Sequence, residues 1–395
     1  MSDTLAIGII CYPSLGGSGV VASELAVGLA KRGHRVHVIA SAPPSRPLPK
    51  CDRLFFHEVS ISDYPLFDHP PYALALASAI VEVTSDQRLD LLHVHYAVPH
   101  TASAYLARQV LGRSAPRLVT TLHGTDVTRV GPDPSYQSIT RFTVAASDGL
   151  TVPSEFLRRE AHRLLGLPEE PPIEVIPNFV DTDHFAPAAQ RDRTRFDALF
   201  AAAVGEAAEH QGPILFHVSN FRAVKRVTDL MEVLARLRQH VPARLVLVGD
   251  GPERSHAAQR ARDLGLAKSV CFLGKRADFV EYLKHADAFL LSSESESFGV
   301  AALEALSTGV PVVAYRVGGL PEVVADTVGR LVEPFDVAAL ARAVLEVVTD
   351  PVRHAQLGGA ARAHALAHFR REPALDHYEA YYRRVLERAP RQGNR

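Results

Sequence analysis

Apolar residues along this chain fall into short continuous blocks separated by longer stretches in which they recur every three to four positions. Residues 5–10 (LAIGII) form one block, 20–33 (VVASELAVGLAKRG) an amphipathic stretch with a basic last turn and a glycine stop, and 36–40 (VHVIA) a second block, which reads as strand, helix, strand. The same order returns at PILFHVSN, VTDLMEVLARLRQH and ARLVLVGDG, followed by blocks at VCFLG, AFLLSS and VPVVAY with helical stretches between them. Such alternation predicts parallel, doubly wound α/β sheets, and its two runs predict two Rossmann-like domains. Between the runs, LPEEPPIEVIPNF is proline-rich and has no helical period, so a first domain is expected over 1–178 and a second over 179–371. Residues 187–212 read as an exposed, variable insert. The helical run 372–388, with Tyr378, Tyr381 and Tyr382, either closes the second domain or crosses back onto the first; periodicity does not say which.

A chain of 395 residues that is 47% hydrophobic can fill two ordinary cores. Its 43 basic and 44 acidic residues nearly cancel, leaving no electrostatic footprint for nucleic acid and no polybasic cluster for a membrane surface. Small-molecule partners are the expectation. Cys11, Cys51 and Cys271 are odd in number, widely spaced and without a C-x-x-C, which argues against a disulfide framework or zinc site and for a reducing, cytoplasmic setting. No apolar run approaches the roughly 20 residues that cross a bilayer.

The most informative segment for chemistry is 292–311, SSESESFGVAALEALSTGVP, which sets Glu296 and Glu304 eight positions apart around Phe298 and Gly299. A helix starting near Gly299, rising about 1.5 Å per residue, would separate the carboxylates by roughly 12 Å, close to the span from a donor hexose to its nucleotide ribose. The first-turn N–H groups of Phe298, Gly299 and Val300 would then face a diphosphate, whose charge the helix dipole favours. Two glutamates on a solvated helix face are the alternative.

Other motifs sit at the ends of expected strands. Residues 219–226 (SNFRAVKR) leave the first strand of the second domain with Arg222, Lys225 and Arg226, cations suited to a leaving diphosphate. Gly16, Gly17 and Gly19 let the backbone approach an anion, with Ser18 as a helix cap; a plain tight turn is the alternative. Gly17 to Ala22 mimics a dinucleotide fingerprint, but VHVIASAPPS supplies no acid for the ribose, which disfavours an NAD oxidoreductase. His123, after LVTTL, stands at a strand end facing the expected inter-domain cleft, or is a capped structural histidine. His93 and His95 share a strand face that a metal could use, yet no third ligand is apparent, and Tyr96 and His100 read as cleft residues. Asp181-Thr182-Asp183 lies in the linker, where an Asx turn or cap fits better than a metal. Gly249 and Gly274 end successive strands, as nucleotide contacts or as tight turns.

The Glu296/Glu304 spacing with its glycine turn resembles the E-x7-E signature of retaining GT-B glycosyltransferases of the glycogen synthase and sucrose synthase type. That resemblance implies two Rossmann-like domains facing a central cleft, with the last helix returned to the first. It implies that Glu296 touches the donor sugar, Glu304 the ribose, Lys225 the diphosphate, and that His123 lies near the reaction centre. Relatives usually carry Arg five positions before the lysine; Asn220 stands there in this chain, and Arg222 is the candidate replacement. The segments CYPSLGGSGVVASELA, DYPLFDHPPYALALAS, LLHVHYAVPHTASAYLA, TLHGTDVT and SNFRAVKRVTDL are similar to those of the family 4 glycosyltransferases of bacillithiol biosynthesis that join N-acetylglucosamine to L-malate. The donor implied is UDP-N-acetylglucosamine (UDP-GlcNAc) and the acceptor L-malate, joined through its hydroxyl with retention, with no metal and no other cofactor required. Malate's two carboxylates need cations and oriented donors, for which Ser18, Tyr96, Thr125 and Arg141 are candidates. No nucleophile carboxylate is evident near His123, so same-face attack with a donor phosphate oxygen taking the malate proton is expected rather than a covalent intermediate. Transfer to another acceptor such as inositol phosphate, a UDP-GlcNAc 2-epimerase and a non-enzymatic sugar-nucleotide sensor are the other readings, and assembly into a homo-oligomer is left open.

Overall fold

The computed structural model, which describes residues 4–13, 17–44, 46, 48–61, 68–167, 169, 172–204 and 212–388, places each apolar block in a strand of a parallel sheet. The chain divides into two units, Met1–Asn178 with Arg371–Arg395, and Phe179–Arg370. In the first, β1 (Ala6–Ile10), β2 (Arg35–Ala40), β3 (Leu54–Glu58), β4 (Leu91–His95), β5 (Arg117–Thr121), β6 (Gly149–Val152) and β7 (Glu174–Val175) lie in the order β3-β2-β1-β4-β5-β6-β7. In the second, β8 (Ile214–Val218), β9 (Arg244–Val248), β10 (Val270–Gly274), β11 (Ala288–Leu291), β12 (Val312–Tyr315) and β13 (Gly329–Val332) lie in the order β10-β9-β8-β11-β12-β13. The central strands β1, β4, β8, β9, β11 and β12 are covered on both faces, which is why they read as unbroken apolar blocks rather than alternating ones. Both units are Rossmann-like and doubly wound. Each sheet reverses its winding once, between β1 and β4 and between β8 and β11, and ligands of such sheets bind at the carboxyl ends of the strands flanking that reversal.

Helix Arg371–Glu387 belongs to the first unit. Leu375, Tyr378, Tyr381, Tyr382 and Val385 are buried there; the Tyr381 hydroxyl donates to the Leu150 carbonyl (3.1 Å), and that of Tyr382 lies 2.7 Å from His93 Nδ1. On the solvent side Arg32 pairs with Asp376 and Glu379. A side chain at Gly28 in helix Ser18–Lys31 would put its Cβ 2.6 Å from a Leu375 methyl, so the two helices meet where that glycine leaves room.

Residues 187–212 differ from the exposed insert expected of them. They include helix Thr194–Val204, whose Phe196 and Phe200 are wholly buried in the core of the second unit. The i, i+4 spacing of those two phenylalanines is the sequence signal for a packed helix. Arg191 and Arg193 anchor the preceding strand of chain on Asp287 Oδ1 (3.1 and 2.8 Å), while Asp287 Oδ2 accepts from the Ile214 N–H at the start of β8. Residues 205–211 lie outside the described residues. Among the described residues no helix is long and apolar enough to cross a membrane, and the three cysteines are free.

Tyr382→Phe removes the hydroxyl from a fully buried imidazole, and an orphaned buried polar atom costs about 1–3 kcal/mol. At roughly 2–4 °C per kcal/mol for a unit of this size, thermal unfolding followed by circular dichroism should show a midpoint several degrees lower. An unchanged midpoint would remove the Tyr382–His93 contact from the packing of this helix.

Candidate active site

The second unit builds its site where β8 and β11 part. Their backbone ladder consists of Ala288↔Leu215 and Phe289↔Phe216 only, after which the loops 219–226 and 292–299 diverge and are tied to each other by other means. The Glu294 N–H donates to the Val224 carbonyl (2.8 Å), and the Ser292 hydroxyl lies 3.0 and 2.9 Å from the carbonyls of Lys225 and Arg226. Across this seam Lys225 Nζ donates to Glu296 Oε1 at 2.6 Å, and the same oxygen accepts from the Ser293 hydroxyl at 2.7 Å. The pair is largely covered, with side-chain exposures of 21% and 12%, so its charges are only weakly screened.

Two glycines shape this edge. At Gly249 (φ 124) a Cβ would fall 1.8 Å from the Ser219 carbonyl oxygen, and at Gly318 (φ 57) it would fall 1.9 Å from that of Glu296. Only glycine permits these approaches. The Gly319 N–H also donates to the Glu296 carbonyl (2.8 Å), so the loop after β12 supports the glutamate from behind. Gly274 ends β10 with φ 68, and its carbonyl accepts from the Gly249 N–H.

Of the remaining residues singled out in the second unit, Asn220 and Arg222 are exposed, and Arg226 is committed to a fork on Asp229 (2.8 and 3.0 Å), which in turn accepts from the Tyr315 hydroxyl. Helix Val300–Ser307 begins after Gly299 (φ 99), with no side-chain cap. Phe298 is buried against Phe369, ring centroids 5.8 Å apart, and so pins the turn rather than lining it; Val300 is half-buried. Glu304 is 6% exposed and therefore does not sit on a solvated face. The 12 Å ruler expected between Glu296 and Glu304 does not apply, because Glu296 lies in the loop and helical rise runs only from Val300, about 6 Å to Glu304. His217, one residue before the end of β8, was not legible as a site residue. It is wholly buried, with Nδ1 2.8 Å from the Leu290 carbonyl and Nε2 2.8 Å from Ser219 Oγ.

In the first unit, the strand ends of β4 and β5 carry a cluster of imidazoles. His95 Nδ1 is 3.0 Å from His123 Nε2, His93 is held between the Tyr382 hydroxyl and Thr121 Oγ1, and His100 Nδ1 donates to the His95 carbonyl (2.8 Å). Burial pushes His93 and His123 down to about 3 and His100 to about 4, with His100 further lowering His123; His95 is pushed well below the ordinary range, first by burial and then by its neighbours. At neutral pH all four are uncharged. The loop 122–126 is fixed by Asp126, fully buried, whose carboxylate accepts from the N–H groups of His123, Gly124 and Ala97. Burial raises Asp126 to about 6 in spite of those bonds. Tyr12 reaches this group from the end of β1, its ring 5.3 Å from that of Tyr96 and 4.3 Å from that of His100.

His100, expected as a cleft residue, is wholly buried because its ring is spent on the His95 carbonyl and Tyr12. Tyr96 (φ 93) is half-buried and Thr125 exposed. Ser18 is buried and does not cap its helix; Gly17 is the N-cap residue, at φ 60, and Ser18 starts the first turn. Gly16 lies outside the described residues. Arg141 is exposed on helix Gln137–Ala145, its guanidinium packed over Gly166 at the end of helix Glu155–Leu165. Asp181 Oδ1 accepts from the N–H groups of Asp183 and His184 (3.1 Å each), a turn cap. Among the described residues no group of three His, Cys, Asp or Glu side chains is arranged to hold a metal ion.

Comparison with known proteins places these features in a family. Residues 15–184 match the model described as Glycosyltransferase Family 4, and residues 203–364 match Glycosyl transferases group 1. The chain is similar to N-acetyl-alpha-D-glucosaminyl L-malate synthase of Bacillus anthracis, 42% identical over 384 residues that cover 97% of each protein. Among solved structures it resembles the sucrose-phosphate synthase from Thermosynechococcus elongatus (TM-score 0.76, 22% identity, 96% of this chain and 99% of that one). A glycosyltransferase from Rickettsia africae gives a TM-score of 0.75 at 21% identity, covering 98% and 100%. At such identities the likeness is one of fold.

The neutral histidines have a measurable consequence. Below pH 6.5 the unfolded chain takes up protons that the folded first unit does not, so each of His93, His100 and His123 contributes stability that is complete above 6.5 and is lost as pH falls toward 3–4. Asp126 works the other way: raised to about 6, it makes the fold gain stability as pH falls from 6 to its ordinary value of 3.8. Each group is worth about 1.4 kcal/mol per pH unit in its window, so three histidines outweigh one aspartate. The thermal midpoint should drop between pH 6.5 and 4.5, and less steeply in His100→Asn, which keeps a donor for the His95 carbonyl but does not titrate. Equal slopes in the two proteins would contradict the assignment.

Proposed function

This chain is a family 4 glycosyltransferase of GT-B fold, and from that premise we propose that it transfers N-acetylglucosamine from UDP-GlcNAc to the hydroxyl of L-malate, with retention at the anomeric carbon, as the first step of bacillithiol biosynthesis. The observation that carries the reading is the Lys225–Glu296 pair at the winding reversal of the second sheet, ahead of the uncapped N-terminus of helix Val300–Ser307. The name of the Bacillus anthracis relative, similar over nearly its whole length, supports the sugar and the acceptor. A cytoplasmic setting, consistent with three free cysteines, belongs to the same proposal.

On this reading, the N–H groups of the first turn of that helix and the Lys225 ammonium receive the diphosphate. As the bond between the anomeric carbon and the β-phosphate oxygen breaks, negative charge accumulates on the leaving UDP, and a fixed cation in a weakly screened site stabilises that charge more than it stabilises the intact donor. Glu296 orients Lys225 and meets the sugar hydroxyls, and Glu304 takes the ribose. The malate hydroxyl oxygen forms the new bond on the face from which UDP departs, and its proton passes to a donor phosphate oxygen. His123, half-buried and held neutral, meets substrate as a hydrogen-bonding partner rather than as a cation, since an imidazole that desolvation pushes down to about 3 carries no charge at neutral pH. Ser18, Tyr96, Thr125 and Arg141 are the acceptor-side candidates, as oriented donors and a cation for the two carboxylates. Lys225 and the helix N-terminus neutralise the diphosphate, so no metal is required.

The deciding experiment incubates the purified protein with UDP-GlcNAc and a panel of hydroxy acids and inositol phosphate, and identifies the product by mass spectrometry. An α-linked N-acetylglucosaminyl malate is expected; an epimer formed without acceptor, or transfer only to inositol phosphate, would replace the proposal. In the same assay Glu296→Ala should lower kcat by at least about a hundredfold, whereas Glu304→Ala should mainly raise KM for the donor. Rates should stay within about twofold when a chelator is added, since one lysine and one helix terminus supply the charge that a divalent ion would otherwise bring.

A further inference from the structure

His217 is the one polar side chain in the apolar block Ile214–Val218 and lies at the point where the β8–β11 ladder stops. The backbone pairs are Ala288↔Leu215 and Phe289↔Phe216; at the next level the contact between the strands is made by the imidazole instead, through Nδ1 to the Leu290 carbonyl at 2.8 Å. A carbonyl only accepts, so Nδ1 carries the hydrogen. The ring is uncharged, pushed down to about 4 chiefly by burial, so Nε2 offers a lone pair and the Ser219 hydroxyl, 2.8 Å away, must donate to it. Ser219 Oγ then accepts from the Phe221 N–H at 3.3 Å. Each hydrogen in this chain has one possible direction, from the Phe221 backbone through Ser219 and His217 to the Leu290 carbonyl near the end of β11.

The two ends of that chain are the roots of the two loops that carry Lys225 and Glu296. Phe221 is the residue where the first loop turns, at φ 40, a left-handed conformation that a bulky residue adopts only when its surroundings impose it. Its ring is wholly buried and stacks on His217, centroids 6.1 Å apart, and its carbonyl accepts from the Glu253 N–H. Leu290 is two residues before Ser292, whose hydroxyl holds the carbonyls of Lys225 and Arg226. The imidazole also feels both charges of the pair, Lys225 lowering its basicity and Glu296 raising it.

We propose that His217 is a positioning residue for sugar transfer, setting through Ser219 and the Leu290 carbonyl the distance between the two loops and so the alignment of Lys225 with Glu296. The inference rests on the transfer reaction proposed above. It requires that loss of the chain lowers the rate of the chemical step more than it weakens binding of the nucleotide, because the loops still close on UDP but hold the lysine and glutamate less accurately.

Three variants of the full-length protein test it. His217→Phe keeps the stack on Phe221 and removes both hydrogen bonds; His217→Asn retains a donor for Leu290 but does not reach Ser219; Ser219→Ala breaks the middle of the chain without touching the ring. Folding is checked by circular dichroism, UDP affinity by calorimetry, and kcat with UDP-GlcNAc and malate. Expected are UDP affinities within about threefold of the parent, kcat lower by about tenfold in Ser219→Ala and by more in His217→Phe, and partial recovery in His217→Asn. If His217→Phe does not fold, the Ser219→Ala result decides alone. A kcat within twofold of the parent in the folded variants overturns the proposal, and so does a fall in kcat matched by an equal fall in UDP affinity. Absence of any transfer by the parent protein would instead refute the reaction on which it rests, while UDP binding by the variants would still be measurable.

Discussion

The ion pair between Lys225 and Glu296 is possible only because two neighbouring strands stop pairing before they end. A continuous ladder between β8 and β11 would carry their loops away in register and leave no space between them. Ending the ladder after two pairs opens a seam, and three side-chain contacts and one backbone bond keep it narrow: the Ser292 hydroxyl on two carbonyls, the Glu294 N–H on one, His217 across to Leu290, and the lysine on the glutamate at its mouth. The backbone that carries the glutamate is supported by the loop after β12, through the close approach of Gly318 to the Glu296 carbonyl and the Gly319 N–H that donates to it. A charge held this firmly needs little reorganisation when charge develops on a bound substrate, and preorganisation of that kind is what electrostatic catalysis requires.

The first unit uses imidazoles differently. There the histidines are packed against one another, ring on ring, with His95 tied to His123, His93 to the C-terminal helix and His100 to the backbone of β4. Burial keeps them neutral, and neutral rings can stack and share hydrogens where protonated ones would repel. The same desolvation holds Asp126 toward its protonated form even though three backbone N–H groups stabilise its charge. Polar side chains thus make the strand ends rigid in both units, by ion pairing in one and by neutral hydrogen bonding in the other.

Alternation of apolar blocks with amphipathic stretches was enough to read two doubly wound parallel sheets, because strands buried on both faces leave an unbroken apolar signature. Strand order was not in that signal. Lys225 and Glu296 are 71 positions apart, and nothing in either segment states that β8 and β11 are neighbours. His217 was hidden for a related reason: inside PILFHVSN it looks like a tolerated polar residue, and its meaning depends on a carbonyl 73 positions away. Its position two residues before a cationic loop was the available clue. Helix Thr194–Val204 was obscured by the polar, proline-flanked chain around it, although Phe196 and Phe200 carry the period. The helical ruler laid between the two glutamates does not apply, because residues 296–299 form a loop ahead of helix Val300–Ser307.

The path of the chain through the two units has a consequence for how the protein is made. The first unit is left at Asn178 and re-entered only at Arg371, while Val180 and Arg370 pair with each other, so the second unit is a self-closed insertion with adjoining ends. Emerging from the ribosome, the second unit is therefore complete before Leu375, Tyr378, Tyr381 and Tyr382 exist to cover the sheet that began to form first. The unit whose synthesis starts first is thus the last to be completed, and until residues 371–387 emerge the apolar surface they cover stays open.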